Sequence, residues 1–596
     1  MKSDNKNLIT AMVLSALVMF GWQYFYAGPQ MEKARLAQVA AHALQAKGVV
    51  APDGKPVLAD GTGGAVTMTR EQALAASQRV TIDTPKVSGS INLKGARLDD
   101  VVLRAYKETI APDSPKVVLF SPEGAPSAYF SDVDYVPQAG EKIALPGPDS
   151  VWKSDATTLT VQKPVTLSFD NGQGLIFHRE ISIDDNYMFT IKDSVENKGS
   201  QAALFFPHAS LTRVGTPKVD GYSVLFEGML GKIGDNSLQQ LTYAAIDKPK
   251  ASPQTAKGDG GWLGFTDKYW ASALIAGQGS EVTGVFQSIG TDAKTYKAEE
   301  LSKLVTLAPG ATENSQVRLF AGAKVSNLFT EYEKKYNIQN FRLMIDWGWF
   351  WFITQPMFIL LDFLSKLTGS FAIAILLTTV ILKAVFFPLA NKSFHSMAKM
   401  KAIAPQLAAI KERFPGDTQK QQQETMEIYK REKINPVAGC LPMLIQIPVF
   451  FSLYKVLFIT IEMRQAPFVG WIKDLSVPDP TNLFNLFGLL PFDPTHLPLV
   501  GGFLHLGIWP ALMGFTMFLQ MKMNPEPTDP VQKQMFTYMP LIFTFSFATF
   551  PAGLVIYYAW NNTLTLMQQS YIMRSAGVKL HLWDNLTGIF RKKENA

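Results

Sequence analysis

The chain has 596 residues, too many for one ordinary domain, and its net charge of +6 is too small to indicate direct nucleic-acid binding. Its single cysteine, Cys440, excludes an intrachain disulfide. Because its neighbours are apolar, we interpret Cys440 as a small buried hydrophobic residue rather than a reactive thiol.

The first apolar run extends from Leu8 to Tyr26 and follows Lys2 and Lys6. It ends on bulky aromatic residues, where a signal peptide would have small residues before its cleavage site. We therefore predict an uncleaved transmembrane anchor over residues 1–27, with its N-terminus in the cytoplasm. Residues 28–78, rich in Ala, Gly and polar residues, are predicted to be a linker.

From Arg79 onward, apolar and polar residues alternate. Val80 and Ile82 point to one face, and the segment Asp170-Asn171-Gly172-Gln173-Gly174 between two alternating runs predicts a β-hairpin. Many such short strands between turn residues predict a large all-β sandwich over residues 79–345.

This predicted β domain shows no metal-ligand spacing, P-loop or nucleophile elbow. We therefore predict no catalytic residue, no metal site and no cofactor, and we do not expect an enzyme. Trp262, Asp267, Tyr269 and Trp270 could form a sugar-binding cluster, but core and edge aromatics of a sheet are the favoured interpretation.

Long apolar stretches dominate from Trp347 onward, which is typical of a soluble domain attached to a membrane bundle. The run over residues 346–366 is short and contains Gln355 and Pro356, so we predict a helix lying at the outer membrane interface. A bundle over residues 367–574 is predicted to supply five spans, six with the anchor, at Phe371–Leu389, Val437–Thr460, Phe503–Met521, Phe536–Phe550 and Ala552–Ile572.

The loop charges indicate the orientation of these spans. Residues 391–436 hold nine Lys and Arg, and the tail 575–596 is also basic, whereas the loop from Glu462 to Gly502 holds only Arg464 and Lys473. The positive-inside rule therefore places residues 391–436, the basic tail and both termini in the cytoplasm, and the large β domain outside.

A helical hairpin is predicted within residues 391–436. Pro405 is expected to kink or restart its first helix, and the turn Phe414-Pro415-Gly416-Asp417 leads to a second. Lys399 and Lys401 belong to its basic outer face. The hairpin is either a solvated connector whose charges set topology, or a docking surface for a nascent chain, a ribosome or anionic lipid. Its apolar stripe has helical spacing, at Met397, Met400, Ile403, Leu407 and Ile410.

Lys383 lies inside the second span, where a charge costs about 3 kcal/mol or more unless it meets water or a partner. Its long stem could instead bring the ammonium to the cytoplasmic interface. Thr379 stands one turn earlier on the same face. Polar residues of other spans are either interhelical contacts or the walls of a water-filled cavity open to the cytoplasm, and they are Gln446, Gln520, Tyr557, Tyr558, Asn561, Asn562 and Gln568.

A series of short segments runs through the second half of the chain, between about Trp347 and Arg574, and they are Trp347–Phe352, Ser396–Met400, Asn435-Pro436, Gly439–Pro442, Gln446–Pro448, Glu462–Phe468 and Phe550–Leu554. In their order and spacing these segments resemble the YidC family of membrane-protein insertases. The β domain also resembles that of Gram-negative members, through Gly261 to Trp270.

The resemblance implies a multi-domain protein of the bacterial inner membrane with a periplasmic β-supersandwich and an α-helical transmembrane bundle. In such proteins a five-helix insertase core holds a hydrophilic groove, open to the cytoplasm and lipid but closed outside. The family has an arginine where this chain has Lys383. Charge is kept there, but a bidentate guanidinium is lost. Thr379 and Tyr558 match substrate-contact positions, and Gln520 matches a groove-lining position.

The implied function is insertion and assisted folding of inner-membrane proteins, alone or with the Sec translocon. The implied partners are nascent membrane proteins, with the ribosome, the signal recognition machinery and anionic lipids as further candidates. Two other classes remain open. One is a secondary transporter that uses the intramembrane Lys383, although the repeated halves usual in transporters are not evident. The other is a membrane-tethered periplasmic carbohydrate enzyme, which would need paired carboxylates.

Overall fold

The computed structural model describes residues 68–219, 225–248, 251–290, 294–432, 441–490, 492, 495, 504–524 and 530–577. The predicted anchor, Cys440, most of the linker and almost all of the basic tail lie outside the described residues. The chain divides into two compact units, one reaching Met344 apart from two short segments, and one that begins at Ile345.

The end of the predicted linker contains a short helix, α1 (Arg70–Ala75). Thr69 and Gln72 form a capping box, in which the Thr69 hydroxyl accepts from the Gln72 amide at 3.3 Å and the Gln72 side chain accepts from the Thr69 amide at 2.9 Å. The prediction of a linker overlooked this Thr-x-x-Gln pattern. In the described part of the predicted linker, residues 70–75 form α1.

Two sheets of eleven and nine strands follow in the described residues of the first unit. The eleven-stranded sheet consists of β1 (Arg79–Asp83), β2 (Val87–Asn92), β3 (Arg97–Lys107), β4 (Lys116–Phe120), β5 (Tyr129–Pro137), β7 (Thr158–Leu159), β11 (Ala203–Val214), β14 (Gln254–Asp259), β17 (Glu281–Ile289), β18 (Thr295–Ser302) and β19 (Val305–Leu307). The other consists of β6 (Lys153–Ser154), β8 (Val165–Asp170), β9 (Leu175–Ile183), β10 (Met188–Asn197), β12 (Gly228–Ile233), β13 (Gln239–Leu241), β15 (Gly261–Thr266), β16 (Trp270–Ile275) and β20 (Thr312–Ala323).

The hairpin expected around residues 170–174 is present. β8 and β9 pair antiparallel, with Asp170 opposite Ile176, and Gly172 and Gly174 take the positive φ angles that such a turn favours. Val80 and Ile82 are buried, as their alternation with polar residues predicts. The prediction of a large β-rich domain followed by a helical region is confirmed.

A buried ion pair connects the two sheets. The Arg179 guanidinium of β9 donates to both Asp193 carboxylate oxygens, at 2.8 and 2.7 Å, and to the Val133 carbonyl of β5 at 2.7 Å. Tyr135 of β5 donates to Asp193 at 2.5 Å. Because these partners satisfy one another, the pair is tolerated in the core, whereas loss of one partner would leave an uncompensated buried charge.

The aromatic cluster considered for sugar binding makes structural contacts. Trp262 is fully buried and its indole donates to the Gln339 carbonyl at 3.1 Å. Asp267 pairs with Arg213 at 2.8 Å. These contacts fit the interpretation as core and edge residues of a sheet. Two helices complete the first unit, α2 (Tyr243–Ile246) and α3 (Ser326–Lys335), and a 3-10 turn follows at Phe341–Met344.

Among the titratable groups of the first unit whose pKa is shifted, His208 and Glu300 titrate between about pH 7 and 9. Burial lowers the pKa of His208, but its bonds to Asp134 (2.6 Å) and Glu299 outweigh this effect and raise the pKa to about 9. Burial raises the pKa of the Glu300 carboxyl to about 7, against a hydrogen bond from Ser302 and the charge on His208. One Glu300 oxygen is buried without a partner in the described residues, which explains the preference for the protonated form.

These shifts predict that the first unit loses stability as pH rises. The Glu300 contribution is fully present below its unfolded pKa of 4.5 and is lost as pH rises through about 7. The His208 contribution is present below 6.5 and is lost through about 9. Glu300→Gln should remove the part of this pH dependence that lies between about pH 4.5 and 7. This part is a change on the order of 3 kcal/mol in the free energy of unfolding.

Denaturant unfolding of the detergent-solubilised protein between pH 4.5 and 9, followed by far-UV circular dichroism of the β-sheets, measures this effect. Glu281→Gln, at an exposed position of β17, is the matched control and should keep the wild-type dependence. The same pH dependence in Glu300→Gln and wild type would contradict the assignment to Glu300.

The described part of the second unit is helical. Its helices are α4 (Trp351–Thr368), α5 (Phe371–Val385), α6 (Phe387–Ala402), α7 (Ala404–Arg413), α8 (Thr418–Arg431), α9 (Leu441–Ile459), α10 (Ile508–Met523), α11 (Pro530–Phe547) and α12 (Ala552–Ser575). No helix among the described residues has, by itself, the length and hydropathy of a membrane span, whereas α5 and α6, bent by 66°, pass that test as a pair.

The second predicted span differs from the structure at its C-terminal end. It was expected to continue to Leu389, but α5 ends at Val385 and α6 begins at Phe387. Pro388 stands in the first turn of α6 and cannot continue the hydrogen bonding of a preceding helix. The predicted interfacial helix also starts later, at Trp351, and exposes the apolar residues Trp351, Phe352, Ile359, Phe363 and Leu367.

Candidate functional site

A cavity in the second unit lies among α5, α6, α9 and α12. Its lining is part polar and part apolar, and it includes one charged group, Lys383. The residues that line it are Thr379, Leu382, Lys383, Phe386, Leu389, Ala390, Phe394, Gln446, Val449, Tyr557, Asn561, Thr565 and Gln568.

The polar side of the cavity is formed by rows of residues spaced four apart. Thr379 and Lys383 form one row on α5, and Tyr557, Asn561 and Thr565 form another on α12. Residues four apart lie above one another on the same face of a helix. One row of polar residues from α5 and one from α12 therefore meet at this cavity.

The Lys383 ammonium faces α12. It donates to the Thr565 hydroxyl at 2.8 Å, and that hydroxyl donates to the Asn561 carbonyl at 2.7 Å. Among the described residues, no carboxylate acts on the Lys383 ammonium as an ion-pair partner. An ammonium has three donors, so an uncompensated cation with donors to spare faces the cavity.

A second hydrogen bond crosses between α9 and α12, because the Gln446 amide donates to the buried Tyr557 hydroxyl at 2.9 Å. The Thr379 hydroxyl donates to the Ile375 carbonyl of its own helix at 2.7 Å, so it offers the cavity an acceptor. The site thus combines a cation, amide groups and hydroxyls with an apolar wall.

Three residues expected at the cavity are not among those that line it. Asn562 is buried, and its amide donates to the Thr516 hydroxyl of α10 at 3.4 Å. Gln520 lies on α10 and is half-buried. Tyr558 packs against Phe450 and Phe547, with ring centroids 5.0 and 5.2 Å away. The cavity instead includes Thr565, which the sequence reasoning missed, although its position four residues after Asn561 was an available signal.

The helices that follow α5 contain a small core of their own. Met400 packs against this core, and Lys399 is exposed while Lys401 is half-buried. The chain restarts a helix just before Pro405, and Asp417 caps α8 by accepting from the Lys420 amide at 3.0 Å. The buried residues of this core are Ile403, Leu407, Ile410 and Ile428.

Met397 belongs to a different contact. It packs with Phe394 and with Ile572 of α12, and Phe394 also lines the cavity. Met397 of α6 therefore packs against a residue of the cavity wall. In contrast, α7 and α8 pack mainly against each other.

Known proteins are similar to this chain along its length. Residues 79–360 match the family described as the YidC periplasmic domain, and residues 363–579 match the family described as 60Kd inner membrane protein. A protein of Beijerinckia indica named membrane protein insertase YidC is 57% identical over 603 residues, covering 100% of both chains. One of the same name from Bradyrhizobium diazoefficiens is 52% identical over 621 residues, also covering 100% of both.

Proposed function

The chain belongs to the YidC family of membrane protein insertases, and on that premise we propose that it inserts other proteins into the bacterial inner membrane and helps them fold. The observation that supports this most is the cavity around Lys383, where a cation and hydrogen-bonding groups stand beside an apolar wall. Such a surface suits a client that has both a polar segment and an apolar helix.

In the proposed mechanism, the cavity is part of a hydrophilic groove open to the cytoplasm and to lipid. The polar, often acidic, segment of a client stays solvated there while its apolar helix moves along the bundle into lipid. Lys383 attracts the acidic segment, and the hydroxyls and amides of Thr379, Gln446, Tyr557 and Asn561 replace part of its water. The groove thereby shortens the distance that the segment must cross through the hydrocarbon of the bilayer.

The outer side of the groove is proposed to be closed. Asp479, buried in the loop after α9, accepts from the Thr481 amide and hydroxyl at 3.0 and 2.7 Å and from the Trp509 amide of α10 at 2.9 Å. The Trp471 indole donates to it at 3.1 Å. An acidic group at a helix N-terminus is favourable, and these bonds tie the loop to the start of α10.

The energy for insertion is proposed to come from the client and the membrane, since the sequence shows no nucleotide-binding motif. Moving one charge through a potential of 100 mV supplies about 2.3 kcal/mol. The membrane potential therefore adds to, but does not replace, the transfer of the apolar client helix into lipid.

The proposed partners are nascent membrane proteins, with the Sec translocon for larger clients. The basic pair α7–α8, with exposed Lys411, Arg413 and Lys420, is the proposed docking surface for the ribosome, the signal recognition machinery or anionic lipid.

Reconstitution tests the proposed function. Purified protein in liposomes should insert a small acidic membrane protein so that its translocated segment is protected from added protease. Insertion no greater than in empty liposomes would contradict the proposal. Counterflow of a small solute would instead favour the secondary transporter.

The proposed topology has both termini and residues 391–436 in the cytoplasm and the β domain in the periplasm. In a Cys440→Ser background, Ser200→Cys, at an exposed position of the β domain, should react with an impermeant thiol reagent in intact spheroplasts. Met426→Cys on α8, also exposed, should react only after lysis. The reverse pattern would contradict the topology.

A further inference from the structure

The loop between α9 and α10 exposes a group of large apolar side chains. Leu489 is 82% exposed, and the sequence from Asn482 to Phe492 contains no charged residue. Scattered exposed apolar residues are ordinary, whereas a contiguous set indicates an interaction surface. This apolar loop consists of Leu483, Phe484, Leu486, Phe487, Leu489, Leu490 and Phe492.

Hydrogen bonds hold the apolar loop in one shape. Leu486 and Phe487 have φ angles of 51° and 61°, a left-handed conformation that is unfavourable for bulky residues. The Phe487 amide donates to the Asn482 carbonyl at 2.9 Å, the Gly488 amide to the Asn485 side chain at 2.9 Å, and the Leu490 amide to the Asn485 carbonyl at 3.1 Å. Several backbone amides of the loop are thus bonded within it, while its apolar side chains are exposed.

The apolar loop is fastened beside the start of α10. The Leu483 amide donates to the Leu506 carbonyl at 2.7 Å, and the Asn482 side chain donates to the Leu504 carbonyl at 2.7 Å. Further along α10, Leu512 and Phe515 are exposed and apolar. The apolar surface is therefore present both at the loop and on the helix that follows it.

We propose that the apolar loop inserts its side chains into the outer leaflet of the lipid bilayer. The inference rests on the proposed function, which makes α9 and α10 membrane spans and places the loop between them outside. A set of exposed side chains without charge suits a deformable apolar phase, and backbone groups can enter such a phase only when they are hydrogen-bonded internally. The two asparagines provide that bonding here.

The experiment uses the full chain with Cys440→Ser, one introduced cysteine, a nitrobenzoxadiazole label, and liposomes. Leu489→Cys reports the loop, Ile542→Cys reports an exposed apolar position of α11, and Met426→Cys reports α8. Quenching by spin-labelled lipid is compared with quenching by iodide added on both sides of the bilayer.

The label at position 489 should be quenched by lipid spin labels at least several-fold more efficiently than the label at 426, and iodide should show the reverse order. Lipid quenching at 542 with only iodide quenching at 489 would overturn the lipid contact and leave the proposed function standing. Protection of the label at 489 from both quenchers would mean that protein covers the loop, and this result would also overturn the proposed lipid contact. Absence of lipid quenching at 542 would overturn the membrane bundle itself.

Discussion

Replacing Lys383 with alanine should lower the insertion of clients with acidic translocated segments about tenfold, whereas Lys383→Arg should retain most of it. Opposite charges about 4 Å apart gain roughly 1 kcal/mol in water and about 4 kcal/mol at an intermediate dielectric, and a hydrated cavity lies between these values. A loss of about 1.4 kcal/mol is a factor of ten. Lys383→Glu should insert less than the alanine variant, because it repels the same segment.

The measurement is insertion of paired clients, one acidic and one with its acidic residues neutralised, by variants at equal expression. Insertion of the neutralised client should be nearly the same in all variants at residue 383. Thr565→Val removes the acceptor of the Lys383 hydrogen bond but keeps the charge, so it should be milder than alanine. Lys366→Ala, at an exposed lysine of α4, is the matched control and should have no effect. Equal insertion of both clients by all variants would make Lys383 an interface anchor without a role in insertion.

Deleting residues 404–431 should abolish insertion while the rest of the bundle stays folded. These residues form α7 and α8, whose buried side chains Leu407, Ile410 and Ile428 pack with Ile403 in a core of their own. Met397 keeps its contact with Phe394 and Ile572 in such a variant, because these three residues lie outside the deletion. The loss of insertion would therefore result from the removal of α7 and α8 and not from a change in the cavity wall.

The deletion is compared with two point variants in the same insertion assay. Leu407→Asp puts a charge into the core of the pair and should lower insertion strongly, since an unpaired buried charge is costly. Met426→Ser, at a half-exposed position of α8, should insert like the wild type. Protease resistance of the remaining bundle checks the fold. Wild-type insertion by the deletion would reduce α7 and α8 to a topology signal.

The helical period of the sequence identified part of the cavity. Thr379 and Lys383 stand four apart on α5, so they were expected on one face, and they line the cavity together. Tyr557 and Asn561 also stand four apart, on α12, and both line the cavity. The period does not give the rotation of one helix against another. Adjacent residues on a helix point about 100° apart, which is why Tyr557 reaches the cavity and Tyr558 packs against phenylalanines instead.

Contacts between distant parts of the chain were harder to predict. The bond from Lys383 to Thr565 joins residues 182 positions apart, and only the packing of α5 on α12 brings them together. The break between α5 and α6 did have a local signal, Pro388, but the apolar run through it favoured one continuous span. The β domain was predictable because strand alternation and turn residues are local patterns.

Crosslinking within the cavity tests most directly whether clients pass along it. Gln568 lines the cavity, whereas its neighbour Met567 on α12 is 62% exposed. In a Cys440→Ser background, a client arrested during insertion, with a cysteine in its acidic segment, should form a disulfide with Gln568→Cys and little with Met567→Cys. Equal crosslinking at the two positions, or none at 568 from a client that still inserts, would contradict the proposed route.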